Sequence, residues 1–286
     1  MILRQALKKA EETLSAADID DALLESEVLL MHTLEIDRVK LYIDIDSELT
    51  LQQYTEYFSL VQRRIKGEPS AYITGKREFY GLNFFVNQHV LIPRPETELL
   101  VEKAINLARE RSYRTIVDVG TGSGTVAVCL ALNLPEAVIY ATDISASALK
   151  VAFSNCKKYY LEDRITLLQG NLLEPLPEQV DMIVGNLPYV RYADIRQVNT
   201  ASYEPETALN GGEDGLDYII SVVGQSVSKL LRCGSILLEV GQGQGRAASR
   251  QLKGIYPYGE VDIYRDLAGI ERVVSLSLPQ QTHVIS

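Results

Sequence analysis

The apolar positions of this chain change their period twice. From residue 1 to about 68 they recur at the three- and four-residue spacing of helices. Ile2, Leu3, Ala6, Leu7, Ala10 and Leu14 share one face of a first helix. A second carries Leu23, Leu24, Val28, Leu29 and Met31, with Asp18 or Asp20 as its N-cap. Thr50 caps a third, which carries Leu51, Tyr54, Phe58, Val61 and Ile65 on one side and has Gly67 near its end. Helices this short gain most of their stability by packing together, so a small bundle is expected. It either props up the next domain or binds a partner.

Residues 71–92 break the helical period. Tyr72-Ile73-Thr74 leads to Gly75, and Phe79-Tyr80-Gly81-Leu82-Asn83-Phe84-Phe85-Val86 sets aromatic and β-branched residues around a glycine, which predicts a hairpin. Pro93 and Pro95 bracket Arg94 and end the extended stretch. A helix begins at Glu96-Thr97-Glu98, with Leu99, Leu100, Val101, Ala104, Ile105 and Ala108 on its apolar side. From Thr115 onward, apolar runs at 115–119, 137–142, 165–169, 180–184 and 235–240 alternate with helical patterns. Such near-continuous apolar strands predict an α/β architecture, a parallel sheet covered on both faces. Two tail strands, 261–264 and 273–278, have little between them but a loop, so they pair antiparallel at the sheet edge.

Composition narrows the function classes. At 286 residues, 46% of them hydrophobic, the chain can bury one large core or two smaller ones. Its net charge of −10 argues against duplex nucleic acid as the main partner, because phosphate binding needs a basic face. Cys129, Cys156 and Cys233 are widely spaced and form no CxxC, which fits reduced thiols in a cytoplasmic protein. His32, His89 and His283 show no ligand spacing, so no metal is expected. The first residues carry charges where a signal peptide needs an apolar run. No stretch approaches about 18 uncharged apolar residues, so no membrane span is expected.

The candidate chemistry sits at successive strand ends. Val180–Val184 reads as a buried strand that stops at Gly185 and is followed by Asn186, Leu187, Pro188 and Tyr189. An amide oxygen and the next backbone carbonyl can each accept one hydrogen of a planar NH2 group, and an aromatic can lie against its plane. An ordinary strand-to-loop exit uses the same residue types. Upstream, Asp118-Val-Gly120-Thr121-Gly122-Ser123-Gly124 leads into a helix at Thr125. Glycines there allow a tight turn and close approach to a ligand. Thr125 stands where the dinucleotide fingerprint would need glycine. The spacing instead resembles the first motif of S-adenosylmethionine-dependent methyltransferases. Asp143, at the next strand end, can accept both hydroxyls of a ribose. Asn171 and Leu172, at the third, can hold an adenine amino group and pack on its ring.

Taken with Pro69-Ser-Ala-Tyr-Ile-Thr-Gly75, Glu78-Phe-Tyr-Gly81, Leu91-Ile-Pro-Arg-Pro-Glu-Thr-Glu98, Tyr203-Glu-Pro205, Gly211-Gly-Glu-Asp-Gly-Leu-Asp217 and Arg265-Asp-Leu-Ala-Gly-Ile-Glu-Arg272, these motifs resemble the HemK/PrmC family. Its members are the protein-(glutamine-N5) methyltransferases of peptide chain release factors. The resemblance implies a helical N-terminal substrate-binding domain (1–74), a β-hairpin linker (75–90) and a class I methyltransferase domain (91–286) with a Rossmann-like, seven-stranded mixed sheet. It implies S-adenosyl-L-methionine as cofactor, bound by Gly120, Thr121, Gly122, Ser123, Gly124, Asp143, Asn171, Leu172 and Asn186. The glutamine of a release factor's Gly-Gly-Gln loop would meet Asn186, Leu187, Pro188 and Tyr189, which are also the catalytic set. A cytoplasmic monomer with no direct nucleic-acid or membrane partner is expected.

The family pattern is Asn-Pro-Pro-Tyr, and Leu187 departs from it. Leucine restores an N–H and frees φ, but Pro188 still drives residue 187 toward extended geometry. Arg94 is the basic residue best placed to close over the pocket. Glu98, Glu204 and Glu239 read as surface or capping acids. An adenine-N6 DNA methyltransferase shares the amide-holding chemistry, and a non-catalytic cofactor-binding regulator is the other alternative.

Overall fold

A computed structural model describes residues 1–198, 200 and 202–279. The chain divides into two compact units, Met1–Lys76 and Arg77–Ser286.

The first unit packs α1 (Leu3–Ser15), α2 (Ala22–Leu34), α3 (Arg38–Ile43), α4 (Leu51–Ile65) and α5 (Ser70–Thr74). Leu7, Leu14, Leu29, Leu30, Leu41, Tyr57 and Val61 fill its core. Thr50 caps α4 as expected, in a reciprocal box. Its Oγ1 accepts from Gln53 N at 3.2 Å, and Gln53 Oε1 accepts from Thr50 N at 3.0 Å. Three expectations fail here. The N-cap of α2 is Asp21, in a left-handed conformation with no side-chain bond, rather than Asp18 or Asp20. Leu23 and Leu24 are exposed; of the expected face Leu29 is buried, and Leu30 is buried beside it. Tyr72-Ile73-Thr74 is helical, ended by Gly75 in the left-handed region, so β-branched content misled where a single turn follows Pro69.

From Lys76, the last residue of the first unit, β1 (Lys76–Phe79) and β2 (Leu82–Phe85) form a two-stranded hairpin. Its two turn residues, Tyr80 and Gly81, have φ of +52° and +71°, the double positive-φ turn that matches strand twist. Then come α6 (Thr97–Arg111), β3 (Thr115–Val119), α7 (Thr125–Asn133), β4 (Val138–Asp143), α8 (Ala146–Lys158), β5 (Ile165–Gln169) and β6 (Val180–Gly185). Beyond two short 3-10 turns lie α9 (Asp217–Lys229), β7 (Leu230–Glu239), α10 (Gly245–Ile255), β8 (Glu260–Arg265) and β9 (Glu271–Ser277). β7 starts five residues before the expected position, at Leu230 rather than Ser235.

The seven strands lie in the order β5-β4-β3-β6-β7-β9-β8. β5 through β7 are parallel; β9 runs antiparallel between β7 and the edge strand β8. Alternation along each strand feeds two cores. Ile116, Met182 and Leu237 pack with α6 and α7 on one face, while Val117, Ile183 and Ile236 pack with α9 and α10 on the other. The order of connection reverses between β3 and β6, where Val119 pairs with Gly185. A crevice therefore opens beyond the carboxyl ends of these two strands, the place where such sheets bind ligands.

Candidate active site

The residues after β3, β4, β5 and β6 meet around one cavity of about 260 Å³. Gly120, Thr121, Gly122, Ser123, Asp143, Asn171, Leu172, Asn186, Leu187 and Pro188 all line it. Gly124 stands behind the wall: a Cβ there would come within 3.1 Å of Ala152 on α8, so glycine lets that helix approach. Tyr189 does not line the cavity either; its phenol bonds Glu239 instead.

The glycine-rich turn is braced from two sides. Asp118 is buried at the end of β3, and its Oδ2 accepts from Thr121 Oγ1 at 2.6 Å and from Ala127 N at 3.1 Å. Burial pushes this carboxyl up to about 7. Asp143 accepts from Gly122 N at 2.9 Å and from Ser145 N at 2.8 Å, so it ties the turn to β4. Desolvation raises its pKa as well, against the opposing pull of those backbone donors. Buried Asn155 on α8 adds a third tie. Its Nδ2 donates to Ser123 O at 2.8 Å and to Phe85 O at 3.0 Å, and its Oδ1 accepts from Phe85 N at 2.7 Å. Leu172 is buried with a φ of +53°, which sets it against the cavity. Asn171 is exposed and donates to Glu174 Oε1 at 2.9 Å, so its amide nitrogen serves its own turn.

After β6, Asn186 Nδ2 donates to Thr97 Oγ1 at 2.9 Å, at the first residue of α6. With Nδ2 committed there, the acceptor Oδ1 is the end of the amide left for the cavity. The loop is pinned further by Tyr189. Its carbonyl accepts from Gln244 Nε2 at 2.9 Å, and its hydroxyl donates to Glu239 Oε1 at 3.2 Å. Glu239 closes β7 and is 1% exposed; burial drives its carboxyl up to about 7.

Sequence reasoning missed Thr97, Asn155, Glu204, Glu239 and Gln244 as parts of this framework. Glu204 and Glu239 are neither surface nor capping acids. Glu204 is buried, accepts from Ile92 N at 2.9 Å and pairs with Arg94 at 2.5 Å. One signal was present: Glu239 interrupts an apolar strand at its carboxyl end, where a buried acid needs partners. Arg94 is drawn to Glu204 rather than to the cavity, and among the described residues lining the cavity there is no Lys or Arg.

Residues 5–75 match the PrmC N-terminal domain model, and residues 95–202 match the methyltransferase small domain model. The release factor glutamine methyltransferase of Moorella thermoacetica is 40% identical over 276 residues, covering 95% of this chain and 97% of that protein. The chain belongs to the release factor glutamine methyltransferase family. Another member of that family, from Koribacter versatilis, is 38% identical over 96% of this chain and 98% of its own length. A methyltransferase structure from Pyrococcus furiosus shares the fold, with a TM-score of 0.52 at 14% identity over 69% of this chain and 89% of its own.

Proposed function

We propose that this chain methylates the side-chain amide nitrogen of the glutamine in the Gly-Gly-Gln loop of peptide chain release factors, using S-adenosyl-L-methionine. The observation that carries the reading is the Asn186 amide, held by Thr97 so that an acceptor faces the crevice beside the glycine-rich turn.

The cavity suits this cofactor. The Asp143 carboxylate at its wall can accept two ribose hydroxyls, and Leu172 offers an apolar face to a planar base. Among the described lining residues there is no Lys or Arg to meet a phosphate. Gly120, Thr121, Gly122 and Ser123 would receive the amino-acid end, with Gly124 setting the turn. Asn171 keeps its carboxamide oxygen for the base. When bound, the cofactor supplies an electrophilic methyl group.

An amide nitrogen is a weak nucleophile because its lone pair is delocalised, so the protein's task is placement. Asn186 Oδ1 and the Leu187 carbonyl accept the two hydrogens of the glutamine NH2. They fix its plane and stabilise the positive charge that grows on nitrogen. Leu187 and Pro188 form the wall beside them, and Tyr189 anchors the loop from behind. The proton lost from the alkylated nitrogen is acidic and passes to water, so no general base is needed. We further propose that the chain acts as a cytoplasmic monomer with no direct nucleic-acid partner. Mass spectrometry of release factor after incubation with the protein and cofactor tests the reading. One added methyl on the loop glutamine is expected, and an unmodified glutamine overturns it; an adenine-containing DNA duplex is the control substrate.

A further inference from the structure

Glu239 takes no part in the chemistry described so far, yet it is buried and holds the reacting loop through Tyr189. Three elements converge on it. Tyr189, in the loop after β6, donates its hydroxyl to Oε1 at 3.2 Å. Thr97, at the start of α6, lies near the same carboxyl and favours its ionised form. Oε2 nevertheless completes no hydrogen bond of full geometry. Arg272 on β9 and Glu96 before α6 act on it through their charges, Arg272 favouring the ionised form and Glu96 opposing it. Arg272 itself is shared with Asp266 at 2.8 Å and Glu96 at 3.7 Å.

Hydrogen-bond polarity makes this cluster directional. A carboxylate only accepts, so beside ionised Glu239 the single hydrogen of Thr97 turns toward the acid. The Thr97 oxygen is then left to accept, and it accepts from Asn186 Nδ2. A carboxamide whose nitrogen is held in this way presents its oxygen to the cavity. We propose that Glu239 is a positioning residue, whose negative charge sets the orientation of the Asn186 amide through Thr97 and so makes the loop an acceptor for the substrate NH2. This inference rests on the reading of the site as an amide methyltransferase.

Protonation reverses the polarity. A neutral Glu239 donates to Thr97, whose own hydrogen then turns toward Asn186. The amide is favoured with its oxygen on Thr97 and its NH2 in the cavity, where it meets the substrate NH2 donor to donor. Because burial lifts the Glu239 pKa to about 7, this reversal falls within the range of an ordinary assay. The working form exists above that pH and is lost as pH falls through it.

The experiment uses the full chain with release factor as substrate and reads kcat, KM and cofactor Kd across the neutral range. Wild-type kcat should fall on the acid side of about 7 while cofactor Kd holds. Glu239→Gln should bind cofactor normally, lose that acid limb and turn over about 10- to 100-fold more slowly, the range for a lost hydrogen bond to a charged group. Thr97→Val should be slow as well, and Thr97→Ser, which keeps the hydroxyl, should restore turnover. The side-chain amide NMR resonances of Asn186 should titrate with Glu239 in the wild type and stay still in Glu239→Gln. An active wild type whose Glu239→Gln variant keeps both the rate and the acid limb overturns the proposal. So does a Thr97→Val variant as fast as Thr97→Ser. If Glu239→Gln fails to fold, the Thr97 pair and the Asn186 resonances still decide. A wild type that leaves release factor unmodified at every pH sinks the functional reading instead, while the Asn186 titration tests the relay by itself.

Discussion

The side chain of Leu187 closes over Gly120: a Cβ at residue 120 would stand 3.2 Å from Leu187 Cδ2. Two features that look unrelated in sequence, the glycine-rich turn and the departure from Asn-Pro-Pro-Tyr, therefore share one contact across the paired ends of β3 and β6. Gly120 also has a φ of +69°. Gly120→Ala should cost about 1–2 kcal/mol from the backbone conformation alone, plus the displacement of Leu187. Trimming Leu187 to Ala should remove the second part and leave the first. A double-mutant cycle read by denaturant unfolding checks this; strictly additive effects would show that the contact carries no energy.

Replacing Leu187 with Pro should leave methyl transfer intact. Pro188 already holds residue 187 extended, and the working group is its carbonyl, which proline keeps. The change withdraws a buried side chain from Gly120, so a modest loss of stability is expected alongside normal kcat. Steady-state kinetics with release factor checks it, and a complete loss of turnover would refute the assignment of the carbonyl.

Asn186→Ala removes one of the two acceptors for the substrate NH2. The barrier should rise by about 3 kcal/mol, the usual effect of deleting one preorganised group. Because the amide nitrogen is spent on Thr97, cofactor affinity should change little. Calorimetric titration of cofactor beside single-turnover kinetics separates the two effects.

Much of this was legible in sequence, for local reasons. Strand ends were marked by apolar runs stopping at Val119, Thr142, Gln169 and Val184, each within a residue of where the strand stops, and the hairpin by Tyr80-Gly81 between aromatics. Short helices left weaker traces. α3 and α5 have six and five residues, too few for a period to show, and Ile73-Thr74 mimics a strand. The framework under the loop was not legible, because its partners are remote in the chain. Asn186 meets Thr97 across 89 positions, Tyr189 meets Glu239 across 50, and Ile92 meets Glu204 across 112. Periodicity reports which face is buried, not which distant group satisfies a buried acid.

Cofactor affinity should depend on pH through Asp143. Its ionised form accepts the ribose hydroxyls, and burial raises its pKa above the usual carboxylate value. Affinity should therefore be full above that raised pKa and decline as pH falls through it, earlier than for an exposed aspartate. Asp143→Asn should bind about tenfold more weakly at neutral pH, as expected for a lost charge-assisted bond. It should also lose the pH dependence. Equilibrium dialysis across the acid range checks both; an Asn variant with the wild-type profile would place the titrating group elsewhere.

The Arg94–Glu204 pair should govern how long the cofactor stays. Arg94 Nη2 lies 2.5 Å from Glu204 Oε2, while Glu204 Oε1 takes Ile92 N at 2.9 Å. The pair thus joins the strap that brings Leu91 and Pro93 to the cavity with the segment that brings Pro205, Thr207 and Ala208. Glu204 is fully buried at its side chain, so Arg94→Ala strands a charge and should cost about 3–5 kcal/mol. Cofactor release, followed by stopped-flow fluorescence, should accelerate. The neutral double variant Arg94→Met with Glu204→Gln leaves no stranded charge and should regain most of the stability. If that double variant also holds the cofactor as long as the wild type does, the pair matters for folding only. If release stays fast in a stable protein, the ion pair itself is the latch.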